Sequence, residues 1–179
     1  PHGTTDANLR QLDGLLARYC CRQLIFLGDF LHAPESHAPA TLARLAEWRS
    51  RHPQLAITLV RGNHDRRAGD PPAQLGIDVV NEPLLLGPYA LQHEPQPHPS
   101  HHVLAGHVHP AFALQGRGRQ RLRLPCFCIG ERLSLLPAFG SFTGTMTVAT
   151  EDSWRIYVVG DGEVWPVAHS APGRPGIYR

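Results

Sequence analysis

Apolar positions along the chain change their spacing twice. Leu9, Leu12, Leu15 and Leu16 recur at helical intervals, so one face of a helix carries them. Thr4-Thr5-Asp6 ahead of them offers N-capping side chains, and the pattern closes near Tyr19. The run Leu24-Ile25-Phe26-Leu27 is wholly apolar and ends in Gly28-Asp29, as in a buried parallel strand with polar residues at its C-terminal end. Leu42, Leu45, Ala46 and Arg49 predict a second helix reaching about His52. A second apolar strand, Ile57 to Val60, runs into Arg61-Gly62-Asn63-His64-Asp65. Strand, helix, strand in that order argues for an α/β fold rather than all-β.

From Ile77 the pattern shortens. Val79-Val80, Leu84 to Leu86 and Tyr89 to Leu91 read as short strands between turn residues, and Val103-Leu104-Ala105 ends in Gly106-His107-Val108-His109. Gln115-Gly116-Arg117-Gly118 and Gly160-Asp161-Gly162 predict hairpin turns. No repeat or linker interrupts the chain. The expectation is one domain over residues 1–170, with a Pro/Gly-rich tail over 171–179.

Composition then narrows the chemistry. All 17 basic residues of the 179 are arginine, which rules out a Gly-Lys-Ser/Thr phosphate loop and a Schiff-base lysine. The net charge of +2 demands neither a nucleic-acid nor a membrane partner. No apolar run approaches the ~18 residues of a membrane span. Cys20-Cys21 and Cys126-x-Cys128 fit no zinc-ribbon spacing. They predict reduced thiols in a cytoplasmic protein, with Cys126 and Cys128 on one face of a strand. Of 12 histidines, His93, His98, His101, His102, His107 and His109 fall close together, which suggests metal binding.

Three apolar strands each end in metal-capable side chains: Asp29 with His32, Asn63 with His64 and Asp65, and His107 with His109. Loops beyond the carboxyl ends of strands converge in open α/β sheets. Oxygen and imidazole donors without thiolate suit manganese, iron, zinc or cobalt in a reactive site. Paired cations there would activate a water for attack on a phosphoryl group.

Gly28-Asp29-Phe30-Leu31-His32, Gly62-Asn63-His64-Asp65 and Gly106-His107-Val108-His109, in that order, resemble the signatures of the calcineurin-like metallophosphoesterases. His93 sits where that family places a further metal histidine. Leu122 to Phe127 and Leu136 to Gly144 are similar to the bacterial branch called DNA-ligase-associated metallophosphoesterases. The likeness runs over most of residues 2–167.

The resemblance implies a layered α/β/β/α sandwich, two mixed sheets flanked by helices, holding two divalent ions. Manganese is the first expectation, with iron, zinc, cobalt or nickel as alternatives. Asp29 matches the bridging aspartate, Asn63, His93 and His107 the second-metal ligands, and His109 a first-metal ligand. His64 matches the histidine that contacts the scissile phosphate, with Asp65 holding it in orientation. The family's opening Asp-x-His is absent from this chain, so the expectation is that an N-terminal segment lies upstream of Pro1. The implied activity is a phosphodiesterase or endonuclease acting in DNA repair, with DNA as substrate and a ligase or helicase as partners. The alternatives are a small-nucleotide phosphoesterase and a non-catalytic domain binding nucleic acid or a partner.

Other residues carry weaker expectations. His32 faces the substrate or metals, or bonds within its loop. Arg66 and Arg67 are placed to grip a substrate phosphate. His98, His101 and His102 belong to a solvated Pro-rich loop. Arg117, Arg119, Arg121 and Arg123 alternate, as in a charged edge strand or a ladder along a nucleic-acid backbone. Trp48, Trp154 and Trp165 read as packing residues.

Overall fold

The structure, a computed structural model, describes residues 2–31, 38–115, 121–140, 146–147 and 154–167. Helix α1 (His2–Tyr19) begins ahead of the expected cap, so Thr4 to Asp6 lie inside its first turns. Asp6 is used instead as an ion-pair partner for Arg44. Leu12 and Leu16 are buried while Leu15 is exposed, so the apolar stripe is narrower than the leucine spacing implied. Helix α2 (Pro39–Arg51) starts with proline in its first turn, where the missing N–H costs no hydrogen bond. It buries Leu45 and Trp48.

Asp13 ties the two helices together. Its carboxylate accepts from Trp48 Nε1 at 2.7 Å and lies 2.6 Å from His52 Nε2. Partial burial pushes this carboxyl up, but the bonds from His52 and Trp48 outweigh it and hold the group below the usual carboxylate range.

Strands β1 (Gln23–Phe26), β2 (Ala56–Val60) and β3 (Ile77–Val80) form a parallel sheet in the order β1-β2-β3. Among the described residues this sheet is parallel throughout, not mixed, because each crossover carries the chain back to the end of the sheet where the previous strand began. Central β2 is buried, whereas β1 is only half-buried. Val79-Val80 thus joins the first sheet and not the later short strands. Leu12, Leu16, Trp48, Leu55 and Ile57 form the core under α1 and α2.

The second sheet is mixed. Strands β4 (Leu84–Leu86), β5 (Tyr89–Gln92), β6 (His102–Ala105), β7 (Pro110–Gln115), β8 (Arg121–Ile129), β9 (Leu133–Leu135), β10 (Met146–Thr147), β11 (Arg155–Gly160) and β12 (Glu163–Pro166) build it. β5 runs parallel to β6, so their C-terminal ends lie side by side. Ala90, Val103, Ala105, Cys126, Cys128 and Ile156 form its core. Cys126 and Cys128 share one face of β8, as expected, with sulfurs 3.8 Å apart. The hydrogen bond between them, with burial, pushes the Cys126 thiol up. The turn at Asp161 and Gly162, both at positive φ, closes the β11–β12 hairpin as the sequence predicts.

β7 and β8 pair antiparallel. Their connecting turn at 116–118, with Arg117 and Arg119, lies outside the described residues, as do Ser141 to Gly144 and the 171–179 tail. Arg121 and Arg123 are exposed where β8 pairs with β7. Trp48 is buried, Trp154 packs partly buried on the larger core, and Trp165 is exposed on β12. No helix of the described residues is long and apolar enough to cross a membrane.

Candidate metal centre

Two pairs of parallel strands, one from each sheet, deliver the site at their C-terminal ends. Asp29 follows β1, Asn63 follows β2 and opens helix α3 (Asn63–Ala68), His93 follows β5, and His107 follows β6. The structure brings these four together. His93 is 1% exposed, and its Nε2 lies 2.9 Å from Asn63 Oδ1, 2.9 Å from His107 Nδ1 and 3.5 Å from Asp29 Oδ1. Ligand atoms of Asp29, His93 and His107 all lie within 4.8 Å of one another.

The other ring nitrogen decides what this cluster wants. His93 Nδ1 lies 2.8 Å from the Leu27 carbonyl oxygen. That oxygen can only accept, so Nδ1 carries the proton, and in the neutral ring Nε2 presents a lone pair to the cluster. Histidines that ligate metals are fixed in this way by a backbone carbonyl. Ligand atoms about 2.1 Å from a shared cation lie roughly 3.0 Å apart at right angles and roughly 3.4 Å apart at the tetrahedral angle. The observed spacings match, and the donor set fits a divalent cation.

Backbone strain points to the same place. Asp29, His107 and His109 have φ of 55°, 60° and 48°, values in the left-handed region that side chains disfavour. The remaining non-glycine cases among the described residues are Cys20 and Asp161, one just past α1 and one in a hairpin turn. Strain that no turn explains therefore falls on the expected ligands, as it does at functional sites.

Close packing behind His93 requires glycine. A Cβ on Gly28, at φ 85°, would stand 2.1 Å from His93 Nδ1. Gly28→Ala is therefore expected to displace the ring from Leu27, weaken cation binding at least about tenfold and destabilise the fold by about 1–3 kcal/mol. Calorimetric cation titration with thermal unfolding checks this. Wild-type values for both would refute the packing argument.

Asp65 holds the loops that carry the ligands. It is 1% exposed, and its carboxylate accepts from the backbone N–H of Asp29 at 2.7 Å, Phe30 at 3.0 Å, Leu31 at 3.3 Å and Gly62 at 2.9 Å. The family resemblance implied that Asp65 orients His64. What the structure shows it holding is the backbone of both loops. His64 donates its own N–H to Asp29 Oδ1 at 3.3 Å.

The other expected residues fall around this cluster. His109 lies two residues past His107 and outside the group of mutually close ligand atoms. His32 lies outside the described residues. Arg66 and Arg67 are exposed in the last turn of α3. Nearby Arg61 is engaged by Asp70 at 2.7 and 2.9 Å, a pairing that pushes the Asp70 carboxyl down.

His98, His101 and His102 are half-buried rather than solvated. His98 Nδ1 accepts from the His101 N–H at 3.1 Å, and His102, at the start of β6, donates to the Glu131 carbonyl and lies 2.8 Å from Ser134 Oγ. Glu82 was not singled out by the sequence. Its Oε2 accepts from the backbone N–H of His93 at 2.8 Å and of Glu94 at 3.0 Å.

A crystal structure of the Pseudomonas putida nuclease MPE is 60% identical to this chain, with a TM-score of 0.85. The match covers 93% of this chain and 80% of that one. The chain belongs to the same protein family as that nuclease. No protein-family model and no curated protein matches the chain.

Proposed function

We propose that this chain is a calcineurin-like metallophosphoesterase that hydrolyses phosphodiester bonds of nucleic acid. The observation that carries this reading is the convergence of His93 Nε2, its ring fixed by Leu27, with Asn63, His107 and Asp29. Similarity to a nuclease over 93% of the chain supports nucleic acid as the substrate class.

Asp29, Asn63, His93 and His107 would hold one divalent cation. Asp29 and His109 would contribute to holding a second, with manganese the first expectation for both. A cation held here supplies a Lewis acid for the phosphoryl oxygen and lets water act as nucleophile at neutral pH.

The chain's own residues provide the rest. Arg66 and Arg67 neutralise the phosphodiester, since no lysine is present to do so. His64 hands a proton to the oxygen that departs as the P–O bond breaks, which avoids releasing an alkoxide. In support, the backbone N–H of His64 donates to Asp29 Oδ1 at 3.3 Å, which ties its main chain to one of the proposed ligands. A role in DNA repair, with DNA as the natural substrate, follows from the sequence resemblance.

The test is hydrolysis of bis-p-nitrophenyl phosphate, p-nitrophenyl phosphate, and single- and double-stranded DNA with added Mn²⁺. Diester and DNA turnover is expected, abolished by EDTA and restored by Mn²⁺. His64→Ala should lower kcat about 10²–10⁴-fold while leaving Mn²⁺ affinity in place. Turnover that ignores both chelation and the His64 substitution would overturn the proposal.

A further inference from the structure

We infer that Glu82 is a positioning residue for the cation site, acting through the backbone of His93. The inference rests on the proposed cation site. The β4–β5 hairpin pairs Leu84 with Leu91, and continuing that register two residues places Glu82 opposite His93. One carboxylate oxygen, Oε2, then takes the N–H groups of both His93 and Glu94. The Glu82 side chain is 19% exposed, so these bonds form largely out of water and are charge-assisted.

His93 is thereby held at two points. Glu82 fixes its main chain, and Leu27 fixes the far side of its ring at Nδ1. With both anchors made, Nε2 has little freedom to leave the cluster. The other oxygen of Glu82, Oε1, lies 3.5 Å from Arg66 Nη2 on α3, the helix that carries Asn63. Because Arg66 is 53% exposed, that pair contributes little by itself. The backbone bonds are the ones that matter. Asp65 plays the matching part for the Asp29 loop, so each half of the cluster has a carboxylate gripping its main chain.

The test is titration of the full chain with Co²⁺, followed by calorimetry and by the visible d–d absorption, which reports ligand geometry. Wild type, Glu82→Ala, Glu82→Gln and His93→Ala are compared. Glu82→Ala is expected to weaken Co²⁺ binding about 10–100-fold and to alter the band. Glu82→Gln keeps an acceptor oxygen for both N–H groups and should stay within about threefold of wild type. Should Glu82→Ala not fold, Glu82→Asp replaces it with the same expectation, since it is one methylene too short to reach.

Wild-type affinity and band in Glu82→Ala or its replacement would overturn the inference alone. So would a loss in Glu82→Gln as large as that in Glu82→Ala. No Co²⁺ binding by wild type, or undiminished binding by His93→Ala, would overturn the cation site and this inference with it.

Discussion

Asp29→Asn is expected to lower turnover about 10²–10³-fold and to abolish tight cation binding, with the fold intact. Asparagine tolerates the left-handed backbone at φ 55° and retains an oxygen for the His64 N–H. What it removes is the negative charge facing His93 and His107. The substitution therefore separates charge from shape. Unfolding without added metal should stay within about 0.5 kcal/mol of wild type, measured by urea titration. An active variant that still binds Mn²⁺ would show that the carboxylate is not a ligand.

Asp65→Asn should act on both stability and chemistry. The buried carboxylate serves the N–H groups of Asp29, Phe30, Leu31 and Gly62. An amide supplies one acceptor oxygen, and its NH₂ must face the remaining donors, which are cut off from water. Buried donors left without acceptors cost about 1–3 kcal/mol each, so a total loss of about 2–4 kcal/mol is expected. The loop carrying Asp29 would also shift, weakening cation binding about 10–100-fold. Denaturant unfolding and cation titration on one preparation read both. A wild-type unfolding midpoint would mean that the loops find their conformation without this clamp.

Much of the site was legible because its chemistry is local. Asp29, Asn63 and His107 each sit just past an apolar run, where a strand's C-terminal end presents side chains to a shared crevice. His93 follows the same rule after β5. The clamps were not legible in this way. Asp65 and Glu82 act on backbone N–H groups, which every residue possesses, so no residue type marks their partners. Three of the four partners of Asp65, the N–H groups of Asp29, Phe30 and Leu31, lie 34 to 36 residues away along the chain, and only folding reveals them. Glu82 left a fainter trace, since the hairpin register over Leu84 to Leu91 could have placed it opposite His93.

Sheet membership was hidden for a related reason. Val79-Val80 has the same apolar signature as the strands that follow, and its place beside β2 depends on the crossover through α3. The early start of α1 shows the opposite case, in which Thr4 to Asp6 lie within the helix despite their capping pattern and Asp6 pairs with Arg44.

Anomalous diffraction from crystals equilibrated with Mn²⁺ tests the cation site most directly. The expected result is a manganese peak within bonding distance of Asp29, Asn63, His93 Nε2 and His107, lost in crystals of Asp29→Asn. Manganese bound only elsewhere, or no peak among these four side chains at saturating Mn²⁺, would contradict the account.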